Sequence, residues 1–125
     1  MINGIESVTI FSEDAEKLAD FYEEKVGLKM TMEAEMGEDQ DVYGFALGKV
    51  TLMIVDGPKI EGKAKEPERF FFNLEVDNIE EEEEKLVKAG VKKIEDIHHI
   101  EGYGYVATFE DLDGNNFQLV QIRAS

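Results

Sequence analysis

The sequence predicts an α+β fold, in which two βαβββ repeats form a curled mixed β-sheet around a cleft with helices on the outside. Three observations predict it. The order strand, helix, three strands can be read twice along the chain. The stretches Asp14 to Gly27 and Asp77 to Gly90 have equal length, and each glycine precedes an aliphatic residue and a lysine, Gly27-Leu28-Lys29 and Gly90-Val91-Lys92. Alternate residues of the strands also sort into an apolar set and a mixed set. A repeat of about 60 residues has too little sheet to bury both faces, so two must combine. The expected organisation is one domain over residues 1–125, with repeat one at 1–57, a linker at 58–68 and repeat two at 69–125.

In chain order, Ile2 to Ser12 reads as a strand with Val8 and Ile10 on its core face. Ser12-Glu13-Asp14 offers a helix start, Ala15, Leu18, Ala19, Tyr22 and Val26 follow at helical spacing, and Gly27 stops the helix. Three strands are expected at Leu28 to Glu35, Val42 to Leu47 and Val50 to Val55, the last two joined by a tight turn at Gly48-Lys49. The polar linker holds both prolines, Pro58 and Pro67. Arg69 to Val76 starts the order again. Asp77-Asn78 caps a helix carrying Ile79, Leu86 and Val87, which Gly90 stops. Strands follow at Val91 to Ile97, Tyr103 to Phe109 and Asn116 to Ile122. The last two flank Asp111-Leu112-Asp113-Gly114-Asn115, a run of strong turn formers, and so make a hairpin.

Alternation assigns Val8, Ile10, Leu52, Ile54, Phe70, Phe72, Leu74, Phe117 and Leu119 to the helix-covered face. The inner face receives Ser7, Thr9, Met53, Val55, Phe71, Asn73, Glu75, Gln118 and Val120, with Tyr103 and Tyr105 near its mouth. An apolar cleft with a few polar groups is the usual make-up of a small-molecule site, and these residues are the candidate ligand contacts. For Phe71 and Met53 the competing reading is packing between the sheet halves.

Composition removes several classes. Asp and Glu number 29 against 13 Lys and Arg, a net charge of −16, which argues against nucleic acid and anionic membranes as partners. The acidity serves solubility, and it steers cationic ligands. Glu80 to Glu84 fall in the first turns of the second helix, where the dipole favours carboxylates, and read as a solvated face. There is no cysteine, so thiol catalysis and thiolate metal sites are out. No apolar run approaches the roughly 18 residues of a membrane span, and the expected location is the cytoplasm.

Three stretches, taken in order on the repeated plan, resemble the vicinal oxygen chelate superfamily of glyoxalases, bleomycin-resistance proteins and extradiol dioxygenases. They are Glu13 to Tyr22 with Val26-Gly27-Leu28, then Asn73 to Asn78, then Tyr103-Gly104 leading to Phe109 through Asn115. The resemblance implies a curled sheet, often completed as a homodimer, with a metal or small-molecule site in the cleft. Metal-binding members draw His, Glu or Gln ligands from four inner-face positions, which correspond here to Ser7, Met53, Phe71 and Gln118. Only the Gln118 amide is a suitable donor for a hard or borderline cation. The expectation is therefore no metal and no cofactor. His98 and His99 are adjacent, so alternation sends them to opposite faces and they cannot chelate one ion together.

Glu75 is the catalytic candidate by position, a carboxylate on a cleft wall whose desolvation would suit it to general-base work. No Ser/His/Asp set, phosphate loop or paired-carboxylate spacing stands beside it. The resulting expectation is a metal-free, bleomycin-resistance-like protein, a homodimer that binds an amphipathic or cationic small molecule. The alternatives are a glyoxalase-like lyase or dioxygenase-like enzyme assembling a metal from Gln118, a histidine and Glu75, and a dimeric interaction module with a residual pocket.

Overall fold

The computed structural model describes residues 1–35, 37 and 39–122. The chain divides into two compact units, Met1–Gly62 and Lys63–Ser125, and the division falls inside the expected linker. Residues 123–125, assigned above to the second repeat, lie outside the described residues.

The first unit contains β1 (Ser7–Ser12), α1 (Ala15–Asp20), β2 (Met32–Glu35), β3 (Asp41–Leu47) and β4 (Val50–Asp56). Its sheet has the order β1-β4-β3-β2, with β1 parallel to β4 and the other pairs antiparallel. The second unit repeats this with β5 (Phe71–Glu75), α2 (Ile79–Lys88), β6 (Lys92–Ile100), β7 (Gly104–Glu110) and β8 (Asn116–Ile122), in the order β5-β8-β7-β6. The α+β class and the doubled βαβββ order are as expected.

In the first unit α1 begins at Asp14, whose carboxylate accepts the Lys17 N–H at 3.2 Å. Asp56 braces the same end from β4, accepting the Ala15 N–H at 2.8 Å and the Asp41 N–H at 3.0 Å. Leu18, Tyr22, Phe45 and Ile54 form the centre of the core. The expected single helix to Gly27 is in fact two pieces, because the coil widens to a π-helix over Phe21–Val26. Widening reduces the angle between successive side chains, so both Phe21 and Tyr22 face inward, packed edge to face with ring centres 5.3 Å apart. Gly27 closes the coil at φ 90°.

The strand expected from Ile2 starts only at Ser7, and Ile2 is 92% exposed. Likewise β2 starts at Met32 rather than Leu28. Just before it, the Thr31 N–H donates to the Gly44 carbonyl of β3 at 2.8 Å, and its hydroxyl accepts the Ala46 N–H at 3.0 Å.

In the second unit Pro67–Arg69 forms a 3-10 turn, since proline suits the first position of a helical turn. The strand therefore begins at Phe71, and Phe70, assigned to the helix-covered face, is instead 64% exposed ahead of it. The N-cap of α2 is Asn78, whose side chain accepts the Glu81 N–H at 3.1 Å. Ile79 and Leu86 are buried beneath this helix, while Val87, expected on its apolar face, is exposed. Beneath them Phe117 stacks between Phe109 and Phe72, with ring centres 5.9 and 6.4 Å away.

The register of the β7–β8 hairpin is set by Asp111. One oxygen of this buried carboxylate accepts the Asp113 and Asn115 N–H groups, both at 2.9 Å, and the other accepts the Asn115 side-chain amide at 3.1 Å. Gly114 supplies the positive φ of 79° that the turn needs. Strand β6 runs to Ile100, beyond the expected Ile97, and has register shifts between Lys93 and Glu95 and between Glu95 and His98.

Candidate functional site

The strand registers decide which candidate residues share a face. In the first unit Thr9 is the partner of Met53, Ser7 of Thr51, and Val55 of both Phe11 and Val42. Ser7, Thr9, Met53 and Val55 therefore lie on one face. The opposite face carries Leu52, Ile54 and Phe45, which are buried.

In the second unit Phe71 pairs with Asn116, Asn73 with Gln118, and Glu75 with Val120. Across the hairpin Gln118 pairs with Thr108 and Val120 with Val106, and further on Thr108 meets Glu95 and Val106 meets His98. Two rows result, Asn73–Gln118–Thr108–Glu95 and Glu75–Val120–Val106–His98. Phe71, Asn73 and Glu75 are exposed, Gln118 and His98 are half-buried, and Thr108, Val106 and Val120 are buried.

Tyr105 does not belong to this face. It pairs with Gln121 and packs its ring against His99 at 5.0 Å, on the side of the sheet where the Gln121 carboxamide oxygen accepts the Ile79 N–H of α2 at 2.9 Å. The cause is the hairpin register, which puts Tyr105, Ala107 and Phe109 on the Phe117 face. Tyr103 lies in the turn before β7, beyond the paired rows, and is exposed.

Within the polar row the Gln118 side-chain N–H donates to the Thr108 hydroxyl at 2.8 Å, which leaves the amide oxygen as the acceptor on this face. Glu75 is exposed at the end of β5 rather than set in a dry wall. At the other end of its row, His98 Nδ1 lies 3.1 Å from both the Glu95 carboxylate and the Asp96 carbonyl oxygen. Two acceptors at one ring nitrogen place the proton of the neutral ring there, so Nε2 carries the lone pair. Thr108 and Glu95 were missed as members of this face, and of the two histidines, either of which could have bordered it, His98 is the one that does. Counting across the hairpin from Gln118 finds Thr108, but the irregular β6 hides Glu95 and the choice between the histidines.

Other titrating groups lie away from these rows. Lys93 and Asp96, 2.7 Å apart, hold each other charged, the lysine shifted up and the carboxylate down. On the helix side of the first unit, Tyr43 is pushed up to about 12 by burial, reinforced by Asp41, Glu16, Glu33 and Asp56.

The four positions that the resemblance connects with metal present a hydroxyl, a thioether, a benzene ring and an amide, from Ser7, Met53, Phe71 and Gln118. That donor set does not fit a divalent cation. Among the described residues no three His, Asp or Glu side chains come together as a metal site. The alternative set fails on distance. Glu75 and His98 end a row of four strands, three spacings of roughly 4.8 Å or about 14 Å apart, and His99 pairs with Tyr105 on the other face.

The family model of the Glyoxalase/Bleomycin resistance protein/Dioxygenase superfamily matches residues 4–119, and the chain belongs to that superfamily. It is 29% identical over 119 residues to the uncharacterized protein YetH of Bacillus subtilis (strain 168), covering 95% of this chain and 98% of YetH. Its fold is that of TnmS3, an antibiotic binding protein from Streptomyces sp. CB03234, with a TM-score of 0.79 and 24% identity over 98% of both chains. It is also that of the fosfomycin resistance protein FosX from Listeria monocytogenes, with a TM-score of 0.73 and 17% identity over 98% of this chain and 96% of FosX. No helix among the described residues is long and apolar enough to cross a membrane.

Proposed function

We propose that this chain is a metal-free small-molecule-binding protein that holds an amphipathic or cationic ligand on the inner strand faces, with Phe71, Asn73 and Gln118 as its central contacts. The observation that carries this reading is the Gln118–Thr108 hydrogen bond. It fixes a polar acceptor on a face that offers an exposed aromatic ring and no ligand set for a metal. On this reading Val120, buried on the same face of the second unit, supplies the apolar part of the contact surface. The likeness to an antibiotic binding protein supports a small-molecule ligand, and the net charge of −16 supports a cation over an anion. We also propose one domain of two repeats, acting as a cytoplasmic homodimer.

The test combines metal analysis with thermal shift. Protein purified without added metal is expected to contain no stoichiometric divalent ion. Aromatic amines are expected to raise the melting temperature, since a ligand at 100 times its Kd stabilises a fold by about 2.7 kcal/mol. A stoichiometric metal whose removal abolishes binding overturns the metal-free reading. A melting temperature unmoved by amines, aromatic amides and thiol conjugates turns the assignment toward an interaction module.

A further inference from the structure

The exposed rows of the second unit are polar at both ends. Glu75 at the β5 end forms no ion pair among the described residues. At the β6 end the Glu95 carboxylate holds His98 Nδ1 at 3.1 Å, which leaves one carboxylate oxygen and His98 Nε2 to accept hydrogen bonds. The other acid on this face, Glu110, is neutralised by Lys92 at 3.5 Å. Two uncompensated anionic ends thus face the same side of the sheet. Between them lie the buried valines Val106 and Val120 and the acceptor oxygen of Gln118.

Resting on the binding reading above, we infer that the ligand of this face is an elongated dication. One ammonium or amidinium group sits at Glu75, the other at the Glu95–His98 pair, and an apolar spacer lies across the sheet between them. The strand rows set its length. Three strand spacings separate the anchors by about 14 Å at the backbone. A shorter dication reaches one anchor only, and a long monocation leaves one carboxylate unpaired. Each mismatch forfeits a charge-assisted hydrogen bond.

Titration calorimetry with decamethylenediamine, tetramethylenediamine and decylamine tests this. Decamethylenediamine, with an extended length close to the anchor span, is expected to bind at least tenfold more tightly than either of the others. Glu75→Gln and Glu95→Gln, both at exposed positions, should each reduce it to the affinity of decylamine, and His98→Ala should weaken it by a smaller factor. If decylamine binds as tightly as the long diamine, the two-anchor inference fails while the binding function stands. If tetramethylenediamine binds as tightly as the long diamine, the acidic field of the whole chain is responsible and the inference fails. Should none of the three bind, the cationic-ligand reading fails with it.

Discussion

The two units use one backbone plan and fill its equivalent positions with different chemistry. Ser7 lies seven residues before the cap Asp14, and Phe71 lies seven before the cap Asn78. Thr9 pairs with Met53 as Asn73 pairs with Gln118, and the next partner across is Gly44 in one unit and Thr108 in the other. The first unit thus places a thioether over a glycine, where Met32 closes the space so that an added Cβ would meet it at 3.2 Å. The second places an amide over a hydroxyl and bonds them. Equal registers show that hydrophobic alternation and turn chemistry specify the fold twice. The divergence shows that the outward positions were free to take on different chemistry in the two copies.

The largest effect expected from this comparison tests what the copies share. Phe45 and Phe109 are equivalent, pairing with Leu52 and Phe117, and both are fully buried. Phe45→Ala and Phe109→Ala should each destabilise the protein by about 3–5 kcal/mol, read from denaturant midpoints. A cost below about 1 kcal/mol for either would show that its unit does not depend on that core.

Most of the repeat was legible in the sequence, because caps, glycine stops and period-two alternation are local signals. The Thr9–Met53 and Asn73–Gln118 faces followed from them. Tyr105 was misplaced although the signal was present: the Asp111 turn fixes Phe109 opposite Phe117, and counting back by twos from Phe109 puts Tyr105 on the helix side. The π-helix at Phe21–Val26 and the shifts in β6 left no compositional trace. Each is one extra residue absorbed by the backbone, and that is why the choice of His98 over His99, and the place of Glu95, on this face came only with the structure.

The second expected effect separates the units by pH. Tyr43 pairs with Ile54, and the equivalent position in the second unit is Ala107, the partner of Leu119. Only the first unit therefore buries a phenol here. Its pKa rises from the usual 10.0 to about 12, chiefly through burial. The folded state thus holds the proton more tightly than the unfolded state. This contribution is fully present below pH 10 and is lost as pH climbs from 10 towards 12, about 2–3 kcal/mol in all. Stability of Tyr43→Phe, compared with the parent across that window, should lack this decline. Parallel curves for the two proteins would show that Tyr43 is not its source.

The smallest expected effect exchanges the divergent pair. Gln118→Met gives the second unit the side chain of the first and removes the 2.8 Å bond to Thr108, leaving a buried hydroxyl without that partner. An unsatisfied group of this kind costs about 1–3 kcal/mol, and the larger apolar contact of methionine offsets part of it, so a net loss near 1 kcal/mol is expected. Met53→Gln places an amide opposite Gly44 and beside the Thr9 and Thr51 side chains on a half-buried face, and should cost about 1 kcal/mol or less. Ligand binding distinguishes the two variants. On the proposed function Gln118→Met lowers the affinity for an amine by about tenfold, the equivalent of one lost hydrogen bond, while Met53→Gln leaves the polar acceptor of the second unit in place. Equal losses from both would mean that the amide of Gln118 serves packing alone, and that the difference between the copies is not where recognition resides.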